Sequence, residues 1–429
     1  MVDLAMKEKV KRLSQQIVEI QRPIRILDAI KWDPRIELEL KKSRFKEMPQ
    51  LSSEDYQKIE LGFHPVKKME ELKEVLDSIE PILGSDPLGG LLREIVEQYM
   101  DVVRLLLARG TQQFSEYSKK LYGSPKDRFF GDGSTIFEMS QILYSILSGI
   151  DDKVLGPSYP ENCDAQTVVS ILYERLRVYF SGNLVHVKLS DGILADAAAG
   201  GDTLKIKGGS FFSKRDIDIL EVHEGWVHLG TTQNGLQQTV AKWLSKGPPR
   251  CSATQEGLAV LMEIFTFRTY PRRARHINDR ILGIMRVEEG ANLLELIEFY
   301  RTEGYSEEEC IANAQRIFRG GLLEGGAPFT KDISYCKGFI ENYNFIRAAI
   351  RAGSPQLIPF LFVGKAKVDD IPLLYRKYLD GWIDFPLFLP PQFQDLNGIT
   401  VWMTFLNFVN TLNLQKTQEY YNRLFQTYL

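Results

Sequence analysis

Through residues 7–54, apolar positions return at helical spacing, as at Val10, Leu13, Ile17 and Ile20, with charged residues between them, so this stretch predicts helices. Pro65 and residues 85–90 punctuate the region, and residues 91–120 read as one long amphipathic helix stopped by Tyr122, Gly123 and Pro125. A connection containing Pro and Gly follows at residues 156–162, and Asp164 is placed to cap a helix running to about Phe180. At Asn183 the period changes. Val185, Val187 and Leu189 alternate with Leu184, His186 and Lys188, and residues 203–207 (TLKIK) form a second β-branched, period-two stretch, so two short strands are predicted. They lead into a helix over residues 214–231. Further helices are predicted at 253–267, 288–301, 307–318, 334–351 and 406–425, with no internal repeat or low-complexity tract. The pattern therefore predicts an α+β chain, predominantly helical, with a small antiparallel or mixed sheet next to the 214–231 helix. A helical N-terminal region, residues 1–160, precedes a mixed region, residues 161–429.

Composition narrows this picture. A chain of 429 residues that is 44% hydrophobic can bury a large core. Its 53 basic and 56 acidic residues leave a formal net charge of -3, which gives no general attraction for nucleic acid or an anionic membrane. The first residues mix charges into every turn and hold no apolar signal core, and no apolar stretch approaches the roughly 20 residues that cross a bilayer, so a cytoplasmic protein without a membrane span is expected. Cys163, Cys251, Cys310 and Cys336 are scattered without a CxxC pair, which points to buried thiols and to neither a disulfide framework nor a thiolate metal site.

Candidate chemistry lies in the 214–231 helix, where the run Glu221-Val-His-Glu-Gly-Trp-Val-His228 places a glutamate directly after the first of two histidines. Composition alone would produce HExxxH on the order of 0.005 times in a chain with five histidines. In the common HExxH arrangement the histidines are four apart, about 40° around a helix, and both face one ion while the glutamate reaches its water. Five residues turn about 140° beyond a full circle, too far for one tetrahedral metal on a regular α-helix. One inserted residue, as a π-bulge, would restore a common face, and Gly225 is suited to absorb the distortion. A third ligand is needed downstream, because catalytic zinc sites commonly use three protein ligands and leave the fourth position open. Glu256, 28 residues after His228 at the start of an apolar helix, is a candidate; Glu221 and Glu263 compete with it. A carboxylate there would equally complement a helix dipole.

HEGWVH together with TQEGLAV resembles the family named for its QEGLA motif and for modulating flavohaemoglobin expression, whose animal relatives are microtubule-associated tyrosine carboxypeptidases. The likeness runs from about Asp164 onward and includes GGLLEGGAPFTKDISYCKG at residues 320–338. It implies a zincin-like metallopeptidase core, a catalytic domain over residues 161–429 and one zinc ion per chain on His223, His228 and Glu256. Glu224 would then act as general base, taking a proton from water and later delivering it to the leaving amine. The segment ending at Tyr335 resembles a family motif, so Tyr335 is the candidate oxyanion donor, with Lys331 and Tyr343 behind it. The glycines there lack the GK[ST] ending of a phosphate loop.

A carboxypeptidase also needs a cation for the substrate's terminal carboxylate, and Arg250 and Lys331 are the candidates. Residues 203–207 precede the metal helix directly, where an extended peptide could add to a sheet edge. Arg268, Arg272, Arg273, Arg275 and Arg280 would either form a solvated face or attract an acidic C-terminal tail. His64, His186 and His276 sit outside any motif and are expected to be structural. The function expected is a zinc-dependent peptidase acting at or near peptide or protein C-termini. Its rivals are a regulatory or interaction protein that keeps zinc structurally, and metal-assisted hydrolysis of a non-peptide amide.

Overall fold

The computed structural model describes residues 4–131, 133–151, 154–156, 159–182 and 184–428. Asn183, where the period changes, and Pro157 and Ser158 of the predicted connection lie outside the described residues. The chain is predominantly helical with two small sheets. Asp164 does cap the helix Ala165–Tyr179, its side chain accepting from the Thr167 N–H, and Leu172 and Leu176 of that helix are fully buried.

Five strands form the sheets: β1 Cys163–Asp164, β2 His186–Ser190, β3 Ala197–Gly200, β4 Thr203–Lys207 and β5 Phe211–Phe212. β1 and β5 pair antiparallel, while β4 lies between a parallel β2 and an antiparallel β3 in a mixed three-stranded sheet. Leu204 and Ile206 of β4 are fully buried and Lys205 between them is exposed, as the alternation predicts. The free edge expected on β4 is instead on β3, since β4 is paired on both sides. Ala-Ala-Ala-Gly carries no β-branched residue, so β3 exists because β4 offers it a partner and not through its own propensity.

Other boundaries differ where a glycine or a cap interrupts the period. The single helix expected over 91–120 is two, Pro87–Leu107 and Gln112–Tyr122. Between them Gly110 takes φ +72 and lies against the Ser53 backbone, an approach that no side chain would allow. The helix expected over 288–301 begins at Leu293, because Gly290 (φ +106) closes the preceding helix and Asn292 caps the next one. That preceding helix, Pro271–Glu288, was hidden by its arginines although it buries Ile277, Ile281 and Ile284. The helix expected over 406–425 is split into Asn397–Val409 and Leu414–Tyr428.

Two hydrophobic clusters hold these elements, and each draws residues from both sides of position 160. The larger runs from Val10 and Leu13 through Leu172, Val227 and Leu258 to Met403; the smaller joins Trp32, Ile36 and Tyr56 to Ile281, Tyr300 and Phe318. Ser14 of the first helix accepts the Trp243 N–H at 2.8 Å, tying the N-terminal region to the segment after the metal helix. No described helix is long and apolar enough to cross a membrane.

Candidate metal centre

Ser213, in a reciprocal capping box with Asp216, starts a continuous helical rod: Lys214–Leu220 is α-helical, Glu221–Leu229 is a π-helix, and Gly230–Gln237 is α-helical again. Within the wide turn the Gly230 N–H donates to the Gly225 carbonyl five residues back. The five-residue spacing of His223 and His228 thereby becomes one turn, and their rings stand 5.0 Å apart. Gly225 serves a second purpose. A Cβ there would meet Leu176 at 2.4 Å, so the glycine lets the Ala165–Tyr179 helix lie directly against the wide turn.

Glu256 arrives from the helix Ser252–Phe265. Its Oε2 lies 3.4 Å from His228 Nε2 and 3.8 Å from His223 Nε2, and the three ligand atoms all fall within 4.8 Å of one another. Bonds of about 2.0–2.2 Å at tetrahedral angles would separate neighbouring ligands by about 3.3 Å, so this set could close on a small cation with little movement. Two imidazoles and one carboxylate, without sulfur, match the donor chemistry of a site that leaves one position open.

The helix carrying Glu256 is held by a backbone crossing. Gly257 faces Gly338 of the helix Ser334–Arg351, and a Cβ on Gly257 would meet the Gly338 carbonyl carbon at 1.8 Å. Asn342 fastens the crossing by donating to the Thr254 and Gly338 carbonyls at 3.0 and 2.7 Å. Gly257→Ala must push one helix off the other, so a loss of about 3 kcal/mol or more is expected, read as a large fall in melting temperature. A Gly257→Ala protein melting with the wild type would mean that the crossing is not close-packed.

Behind the ligands, Glu263 accepts from His223 Nδ1 at 2.6 Å, which fixes the ring with Nε2 turned toward the ligand set. Arg273 grips Glu263 through two hydrogen bonds of 2.6 Å. Burial alone would lower the His223 pKa, but the hydrogen bonds it donates to Glu256 and Glu263 outweigh it and raise it to about 9, so a metal bound at neutral pH must displace the Nε2 proton. Glu263 is held down at about 2: burial opposes ionisation, and Arg273 and then His223 override it. Glu263→Gln is therefore expected to weaken zinc binding about 10- to 100-fold in competition with a chromophoric chelator. Unchanged affinity would show that the carboxylate does not orient His223.

Of the ligands that competed with Glu256, Glu263 is thus the partner of His223, and Glu221 turns away to accept from Arg175 and Arg268, each at 3.0 Å. Glu224 is part of the wide turn but not of the ligand set; its Oε2 accepts the Ala199 N–H of the edge strand β3 at 2.9 Å.

Glu224, His228 and Glu256 line a cleft of about 740 Å³, together with Tyr335, Lys331, Lys365 and the three alanines of β3. Asp28, Lys31 and Trp32 bring the N-terminal region to its wall. The Tyr335 ring is 6.4 Å from that of His223, and burial, then Glu256, raises the pKa of its phenol, which stays a donor at neutral pH. Lys331 is less free than expected. Its Nζ donates to Glu256 Oε1 at 2.8 Å, so its charge supports the ligand carboxylate, holding Glu256 well below the usual carboxylate range against the effect of burial.

Arg250 is not brought into the cleft. It makes a two-pronged pair with Asp370 at 2.7 and 3.0 Å and a third contact with Glu94 at 2.8 Å. Tyr343 packs into the larger core beside Phe339 and does not line the cleft. Of the arginine cluster, Arg272 is solvated and pairs with Glu309 at the surface, while Arg268, Arg273 and Arg280 are partly buried against Glu221, Glu263 and Asp332, and Arg275 donates to the Glu303 carbonyl. Ala199 and Lys365 had no signal in the sequence, and Arg273 was visible only as one of the arginine cluster. Lys365 donates from Nζ to the His228 carbonyl, Thr231 and Gln255 at 3.0, 3.0 and 2.9 Å, fastening the far end of the wide turn. Glu263 did have one: it follows Glu256 by seven residues, two helical turns on the same face.

A family model described as microtubule-associated tyrosine carboxypeptidase matches residues 39–411. No curated protein matches the chain. Among solved structures, it is similar to a protein of Colwellia psychrerythraea provisionally described as a lipoprotein, with a TM-score of 0.44 and 13% identity, over 85% of this chain and 69% of that one.

Proposed function

The chain belongs to the microtubule-associated tyrosine carboxypeptidase family, and on that premise we propose that it is a zinc-dependent carboxypeptidase that shortens peptides or proteins from the C-terminus. The family supports a carboxypeptidase-like function. The zinc would be held by His223, His228 and Glu256, and would supply polarisation of the scissile carbonyl and acidification of the attacking water.

Glu224 takes the proton of that water and returns it to the leaving amine. Its Oε2 is anchored by the Ala199 N–H, which leaves Oε1 for proton transfer. Tyr335, a neutral phenol in the same cleft, donates to the oxygen that gains charge as the carbonyl becomes tetrahedral. β3 is one of the two edge strands of its sheet and runs along the cleft, and the substrate's main chain adds to it in extended form beside the Ala199 N–H that Glu224 holds. The observation that carries the reading is Glu224 itself: a carboxylate on the ligand turn, outside the ligand set and held by a strand edge, has no task in a purely structural metal site.

The test is metal analysis of the purified protein followed by incubation with a C-terminally varied peptide library, read by mass spectrometry. About one zinc per chain and loss of C-terminal residues are expected. Stoichiometric zinc with no cleavage across the library would overturn the reading in favour of a regulatory protein.

A further inference from the structure

Four buried cations line the cleft, and three have their acceptors within the chain. Lys331 is bound to Glu256, Lys365 to the His228 carbonyl, Thr231 and Gln255, and Arg316 to Asp332 in a two-pronged pair of 2.5 and 3.1 Å. The fourth, Arg319, has none. It is 7% exposed, its Nε is buried without a hydrogen-bond partner, and its guanidinium makes no ion pair among the described residues. Its guanidinium carbon lies 5.5 Å from the centroid of the Phe329 ring.

Leaving such a group unmatched is costly, since a buried charge needs a partner and a guanidinium offers five donors in a fixed plane. Burial, and Arg316 beside it, lower its pKa only to about 10, so it remains a cation at neutral pH. The backbone keeps it there. The Gly320 N–H donates to the buried Tyr56 hydroxyl at 2.8 Å, and a side chain at Gly320 would strike the Phe114 ring, so Arg319 cannot swing out by relaxing its neighbour.

We propose that Arg319 is the anchor for the α-carboxylate of the substrate's C-terminal residue, and that it makes the cleft specific for free chain ends. A carboxylate matches the guanidinium fork in charge and geometry, and the end of a peptide is the one place where its main chain carries that group. Arg250 and Lys331, the cations that sequence suggested for this task, are already matched by Asp370 and Glu256. The proposal rests on the peptidase reading for its substrate, but binding can test it without turnover.

The experiment uses full-length, zinc-loaded protein and two N-terminally labelled peptides ending in tyrosine, one a free acid and the other the carboxamide. Affinity is measured by fluorescence anisotropy in a Glu224→Gln background, and hydrolysis in the wild type. The free acid is expected to bind about 10- to 100-fold more tightly than the amide. Arg319→Gln should remove most of that preference while leaving amide binding and zinc content unchanged and the melting temperature no lower, since the unmatched buried charge is gone, and Arg319→Lys should restore part of the preference. Equal binding of acid and amide by the Arg319-containing protein would overturn the proposal, as would an Arg319→Gln loss that falls equally on both peptides. Should the preference appear and depend on Arg319 while the wild type hydrolyses neither peptide, the anchor stands and the peptidase reading fails.

Discussion

Glu224→Gln is expected to leave fold and zinc content intact while lowering hydrolysis by about 10²- to 10⁴-fold, the usual range for loss of a general base. The substitution keeps the side chain's size, and its amide oxygen can still accept the Ala199 N–H, so the contact between the wide turn and β3 survives. On the proposed mechanism, what disappears is the basic oxygen that would take the proton of the attacking water. If one carboxylate serves both the attack and the protonation of the leaving amine, as proposed, the upper part of that range is expected. The readouts are release of C-terminal residues, zinc per chain and melting temperature of both proteins. A variant that cleaves like the wild type would place the proton transfer on another group; a variant that loses zinc as well would mean that Glu224 belongs to the metal's own coordination.

Much of this site was legible in the sequence because its elements are local. HExxxH announced both the ligand pair and the need for a widened turn, since five residues on an α-helix cannot face one ion, and Glu221–Leu229 is π-helical. The QEGLA segment likewise carried Glu256, and its glycine proves to be where two helix backbones touch. What could not be read depends on pairing across distance. β3 has no propensity of its own and forms against β4. Arg250 and Arg319 look alike in a sequence, each a lone cation near a motif. They differ because Asp370, 120 residues away, folds onto the first and, among the described residues, no acceptor folds onto the second. The helix Pro271–Glu288 was masked for the same reason: its arginines read as a surface until Glu263 and Asp332 are seen to receive two of them.

Glu256→Ala is expected to weaken zinc binding by more than about 10²-fold, beyond the range typical of losing a supporting residue. Two effects act together. The variant removes the one anionic ligand, and it also strands the Lys331 ammonium, whose side chain is 19% exposed and whose partner was Glu256 Oε1 at 2.8 Å. An unmatched cation beside two imidazoles repels the incoming ion. Adding Lys331→Met to Glu256→Ala should therefore recover part of the affinity, although Lys331→Met in the wild-type background should weaken it, a reversal of sign that a double-mutant cycle measures directly. Stability provides a second reading. Zinc at a thousandfold excess over its dissociation constant contributes about 4 kcal/mol to the folded state, so chelation should lower the wild-type melting temperature by several degrees. At the same zinc concentration a loss of affinity of about 10²-fold leaves only about 1.4 kcal/mol, so chelation should lower the melting temperature of the Glu256→Ala protein by at most about a third as much. Glu221→Ala is the control, because Glu221 is paired with Arg175 and Arg268 and contributes no ligand atom to the set. If Glu256→Ala holds one zinc at wild-type affinity while Glu221→Ala loses it, the third ligand is Glu221 and the cleft's chemistry must be rebuilt around the other end of the wide turn.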